Sequence, residues 1–206
     1  MTTQTYSPNR RELLKGLAIG AGVYALGAHL IYPQEAMGQS IEEYLEKVPM
    51  NTRWEIACFS YVNTSVRAWK ARYDKEGREK YIEGAKQRGP VSGGQLKGLA
   101  KMLGFTGDDA KSMAAMMAAM ITLWTGPKQK YELEEATAEK ARLKCINCEY
   151  WNALQTQKIT DDLCSAGSHW MAEGLAKALN PKMTSTLVKA RPRGDSVCEW
   201  VIELKA

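Results

Sequence analysis

At Gly126-Pro127 the hydrophobic pattern of this chain changes period, and that change limits the folds open to it. Before it, apolar residues recur at helical spacing. Trp54, Ala57, Cys58, Tyr61, Val62, Ser65, Val66 and Trp69 fall on one helical face, and Met113, Met116, Met117 and Met120 stand at i, i+3, i+4 and i+7. After it, short stretches alternate. Residues 131–136 and 140–145 read as one hairpin. Residues 184–190 and 197–204 read as a second, joined by the turn-like Arg191-Pro192-Arg193-Gly194-Asp195-Ser196. A helix over 161–179 lies between them, ended at Asn180-Pro181 because proline disfavours the helical conformation in the residue before it. The expected class is α+β: a helical N-terminal half packed on a small antiparallel sheet, with a long inserted helix. Pro49 is expected to interrupt a helical stretch over 40–73, and Gly89 to Gly94 reads as a loop.

The first residues carry a different signal. Arg10-Arg11-Glu12-Leu13-Leu14-Lys15 resembles a twin-arginine export motif, and the apolar run from Gly16 to Tyr32 follows it. That run is 17 residues long and rich in glycine, short of the roughly 20 apolar residues of a membrane span. Ala36-Met37-Gly38 reads as a small-residue site at which a signal peptidase is expected to cut. Residues 1–38 are therefore expected to be an export signal recognised by the twin-arginine translocase, or an uncleaved inner-membrane anchor. Residues 39–206 are expected to be a single periplasmic α+β domain. The formal net charge of the 206 residues is +5, spread along the chain without a basic block, which argues against nucleic acid as a partner.

Folded export bears on the five cysteines, because such cargo can carry a site loaded in the cytoplasm. Cys145-Ile146-Asn147-Cys148 is a CxxC, with Cys164 and Cys198 downstream. Four cysteines can hold zinc or iron tetrahedrally, and can equally make two disulfides in an oxidising compartment. A redox-active CxxC is a third use, although Cys145 is expected to end a strand and not to lead into a helix. Cys58 lies alone on the apolar face of its helix and reads as core. His169 is the one histidine after the signal, and is a candidate base with Glu173 one turn on. Five residues of helix separate it from Cys164, so the two point apart by roughly 140°. Arg191 and Arg193 are candidate carboxylate clamps. The methionine stripe suits copper(I) or a pliable binding surface, but its alanine neighbours favour a buried core helix.

From about Thr52 to Leu204 the chain resembles the L-2-amino-thiazoline-4-carboxylic acid hydrolase family. The resemblance rests on the Cys148 segment after a strand, Leu163-Cys164 opening a helix, Gly174, Asn180-Pro181-Lys182-Met183, and Gly194-Asp195-Ser196-Val197-Cys198-Glu199-Trp200. It implies hydrolysis of a C–N or C–S bond in a small heterocyclic acid. Cys148 or Cys164 would then be nucleophile or metal ligand, His169 the base, and Arg191 or Arg193 the clamp. The chain departs from the family pattern at Ser165-Ala166-Gly167-Ser168, where an acidic residue is expected. Together with the export signal, that departure raises an alternative: a non-catalytic ligand- or metal-binding subunit of a periplasmic redox enzyme.

Overall fold

The structure is a computed structural model that describes residues 46–205, and the residues from Met50 onward form one compact unit. The arginine pair, the apolar run and the cleavage site lie outside the described residues. No helix among the described residues is long and apolar enough to cross a membrane.

Five helices and four strands follow in the order α1 (Met50–Glu76), α2 (Arg78–Met102), α3 (Ala110–Thr125), β1 (Lys130–Glu134), β2 (Lys140–Asn147), α4 (Glu149–Thr156), α5 (Cys164–Leu179), β3 (Met183–Lys189) and β4 (Cys198–Leu204). The strands form one antiparallel sheet in the order β1-β2-β4-β3. Both expected hairpins are present in part: β1 pairs with β2 and β3 with β4, and the pairing of β2 with β4 joins the two into one sheet. The α+β class expected from the change of period is the class observed.

The methionine stripe of α3 is core. Met113, Met116, Met117 and Met120 are buried with Leu143 of β2, Leu175 of α5, Met183 of β3 and Ile202 of β4. Asp109 caps this helix by accepting from the Ser112 N–H at 2.7 Å, as an N-terminal Asp should. A second cluster joins Val62 and Val66 of α1 to Leu154 of α4 and to Leu163.

Two expectations are corrected. Gly89 to Gly94 is not a loop: α2 runs through it, with Pro90 inside the helix. The glycines serve a crossing. A Cβ on Gly93 would overlap the backbone of Gly174 in α5, and one on Gly174 would overlap the Gly89 carbonyl. Tertiary contact here overrides the local breaking tendency of Gly and Pro. Second, Cys145 does not end its strand. β2 runs on to Asn147, and Cys148 is the N-cap of α4, a short helix the periodicity did not announce.

Glu199 is fully buried on β4, where Arg142 of β2 and Lys189 of β3 reach it, the latter at 2.9 Å. Burial alone raises its pKa, but the hydrogen bonds and charges of Lys189 and Arg142 outweigh that and leave it lowered. A carboxylate whose folded pKa lies below its unfolded value contributes stability above about pH 4 and loses it as pH falls through the folded pKa. Thermal melts are therefore expected to fall away steeply below about pH 4 in the wild type. The fall should be shallower in Glu199→Gln, which cannot titrate there.

Candidate functional site

The cavity begins with the turn from β2 into α4. Cys145 is buried near the end of β2, and three residues later Cys148 caps α4 with its sulfur accepting from the Trp151 N–H at 3.5 Å. The chain stays extended between them, and the Cys145 thiol donates to the Asn147 carbonyl at 3.4 Å. Gln129, also buried, ties the end of β2 to the start of α4. Its Nε2 donates to Cys145 Sγ at 3.1 Å, and its Oε1 accepts from the Glu149 N–H at 2.9 Å. Across the sheet, Cys198 of β4 is the register partner of Cys145. Its sulfur accepts from the Arg191 N–H at 3.4 Å.

These thiols face a cavity of about 330 Å³, within the range of small-molecule sites. Cys145, Cys148, Cys164 and Cys198 all line it. Seven aromatic side chains complete most of the wall: Tyr61 and Trp69 of α1, Tyr81 of α2, Trp124 of α3, Tyr131 of β1, Tyr150 of α4 and Trp200 of β4. Tyr81 is held by a hydrogen bond from its hydroxyl to the Leu163 carbonyl at 2.9 Å, and burial pushes its pKa up to about 12. The Trp200 indole N–H is buried and has no hydrogen-bond partner among the described residues. Two cations reach the wall, Arg72 and Arg88. Arg88 is exposed, and burial of part of its side chain together with the charge of Arg72 lowers its pKa. No histidine, aspartate, glutamate or lysine lines the cavity among the described residues.

The thiols differ sharply. The neighbouring Cys145 thiol lowers the pKa of Cys148 to about 7, helped by the backbone N–H groups of Trp151 and Tyr150 and by the charge of Arg191, against the effect of burial. Cys145 is raised by the neighbouring Cys148 thiol and by burial. Burial also raises Cys164 and Cys198. Of the four, Cys148 is the thiol whose pKa is lowered, the direction that favours a thiolate.

All five cysteines are free thiols. No group of three or more His, Cys, Asp or Glu side chains among the described residues is placed to hold a metal ion, so a zinc or iron centre on these four thiols would need their side chains to rearrange.

The other candidates stand apart. His169 does not line the cavity; its ring lies 4.6 Å from that of Trp170, and its Nδ1 is buried without a partner among the described residues. The Glu173 carboxylate one turn on accepts from the Ser185 N–H at 2.7 Å. Arg191 and Arg193 do not line the cavity either. Arg191 donates to the Ile146 carbonyl at 2.7 Å, and Arg193 lies 3.5 Å from the Asp162 carboxylate. Both pin the turn before β4. Cys58 is buried on α1 as core, its sulfur 3.6 Å from the Leu123 carbonyl. Gln129, Arg72 and Arg88 were not singled out from the sequence. The aromatic residues of α1 were, but as a core face and not as a cavity wall.

No family model matches the chain, and no curated protein does. Among solved structures, it is similar to the crystal structure of the phenol-responsive sensory domain of the transcription activator PoxR with phenol. The TM-score is 0.50 at 15% identity, over 69% of this chain and 74% of that one. At that identity the likeness is one of fold.

Proposed function

We propose that this protein binds a small planar ring compound, aromatic or heterocyclic, in the cavity between its helices and its sheet. The observation that carries the reading is the wall itself: seven aromatic side chains around about 330 Å³, with few polar groups. Such a wall favours a flat ring by stacking and edge contacts. Arg72 and Arg88 favour an anionic substituent on it. The fold neighbour that holds phenol is in keeping with a ring-sized ligand. Emission from Trp69, Trp124 and Trp200 is the natural readout. Benzoate or 2-aminothiazoline-4-carboxylate is expected to change it saturably, and flat titrations with both up to their solubility would sink the reading.

The second reading is a hydrolase-like enzyme acting on a C–N or C–S bond of a small heterocycle, as the sequence resemblance implies. Cys148 supports it, as a thiol with pKa about 7 on the cavity wall. The base that such chemistry needs is not supplied by the wall, and His169 would have to turn toward the cavity to serve. If the protein turns over a thiazoline acid, Cys148→Ala is expected to lower the rate at least about a hundredfold while changing ligand affinity only a few-fold. Equal turnover in wild type and variant removes the reading. Without turnover, the binding protein fits the role of an accessory subunit to a periplasmic redox enzyme.

We also propose export by the twin-arginine translocase, on the strength of Arg10-Arg11 and the apolar run behind it. Replacing both arginines by lysine is expected to leave the protein in the cytoplasm. Cell fractionation that finds the variant exported normally would refute this.

A further inference from the structure

We infer that Arg88 sets the ligand class of this cavity: a ring acid, its carboxylate held by the Arg88 guanidinium at the cavity rim. The inference rests on the reading of the cavity as a ring-binding site. It adds which side chain selects the ligand and which charge it selects.

Arg72 of α1 and Arg88 of α2 converge over Gly84. A Cβ on that glycine would lie 2.5 Å from Arg72 Nη2 and 3.0 Å from Arg88 Nη1. The two guanidiniums are not equivalent. Arg72 Nε donates to both carboxylate oxygens of Glu76, one turn on, at 2.9 and 2.8 Å, so its charge is answered within α1. Arg88 makes no hydrogen bond and no ion pair among the described residues. Partial burial and the charge of Arg72 lower its pKa, and the smaller pull of Glu76 does not offset them. Arg88 is exposed and also lines the cavity, which places this uncompensated charge at the rim. A carboxylate answers one such guanidinium through two parallel N–H donors.

The neutral donors of the wall do not make this choice. The Tyr81 hydroxyl is spent on the Leu163 carbonyl, and both ends of the Gln129 amide are bonded. The Trp200 indole N–H has no partner among the described residues, but it carries no charge. A ring held by Trp200 alone would show no preference for an acid over a neutral analogue. Because Arg88 is exposed, its pull on a carboxylate lies between that of a surface ion pair and that of a buried charge-assisted hydrogen bond. About fivefold in affinity is the expected scale.

The test is calorimetric titration with benzoate and benzamide, which share a ring and differ in charge. The wild type is expected to bind benzoate about fivefold or more tightly than benzamide. Added salt should weaken benzoate and leave benzamide unchanged, because an exposed charge is screened. In Arg88→Gln, benzoate is expected to weaken about fivefold or more while benzamide changes by less than about twofold. Benzamide binding and a melting curve show that the variant's cavity is intact, and the wild-type comparison with its salt dependence stands without the variant. Where 2-aminothiazoline-4-carboxylate is the ring that binds, it and its carboxamide take the place of this pair. Equal wild-type affinities for acid and amide, an acid affinity indifferent to salt, or a preference for the acid that survives in Arg88→Gln would each overturn the assignment and leave the ring-binding reading standing. No saturable binding of any of these rings would remove both.

Discussion

Gly174→Ala is expected to destabilise the protein by about 3 kcal/mol or more, lowering the melting temperature by about 6–12 °C. The reason is the crossing of α2 and α5. A methyl group on Gly174 would sit on the Gly89 carbonyl and beside Pro90 N. Both are backbone, so no side chain can rotate away, and the helices must separate. Separation would also loosen Leu96 and Ala100 from Leu175 and Ala176 in the core. The control lies on α2 itself. Gly94 and Gly98 have nothing within 4 Å of a Cβ placed on them. Alanine at either site should leave the melting temperature unchanged or raise it by up to about 1 kcal/mol worth of stability, since alanine is the better helix former. A Gly174→Ala variant as stable as the Gly94→Ala control would mean that the close crossing is not part of the fold.

The second large effect comes from the same helix and has the opposite character. Gly167 lines the cavity, is exposed, and has open space where a side chain would go. Gly167→Leu should therefore leave the fold intact, or stabilise it slightly by removing a helical glycine. The new side chain fills part of the space a ring would occupy. Ligand affinity is expected to fall at least about tenfold, corresponding to 1.4 kcal/mol or more. Calorimetry on the two proteins separates loss of binding from loss of structure, because the melting curve of the variant serves as its own control.

These two glycines also show how much of the protein can be read from its residues. The class was legible because periods of 3.6 and 2 are written directly in the apolar residues. Met113 to Met120 mark a buried helix, and the terminal strands mark a hairpin. The run from Gly89 to Gly94 misled, because the same glycines and proline that break an isolated helix also permit close helix crossing. Only the position of Gly174, some 80 residues on, decides between the two. The candidate site was half legible. Cys145, Cys148, Cys164 and Cys198 stood out by type, and the structure gathers all four around one cavity. The pairing of Cys145 with Cys198 depends on the β2–β4 register, which no local spacing encodes. Tyr61 and Trp69 are indistinguishable in sequence from core residues, since a cavity wall and a packed core share one apolar pattern. Gln129 carried no signal at all, because its role is to bridge Cys145 and the start of α4.

The central claim is that the aromatic cavity holds a small planar ring. Its most direct test is calorimetric titration of the wild type and Gly167→Leu with benzoate and 2-aminothiazoline-4-carboxylate. The cavity predicts saturable one-to-one binding to the wild type by at least one of the two, with a dissociation constant of about 1 mM or tighter, and binding at least about tenfold weaker in the variant. Binding of equal strength to both proteins, or no saturable heat with the wild type, would contradict it.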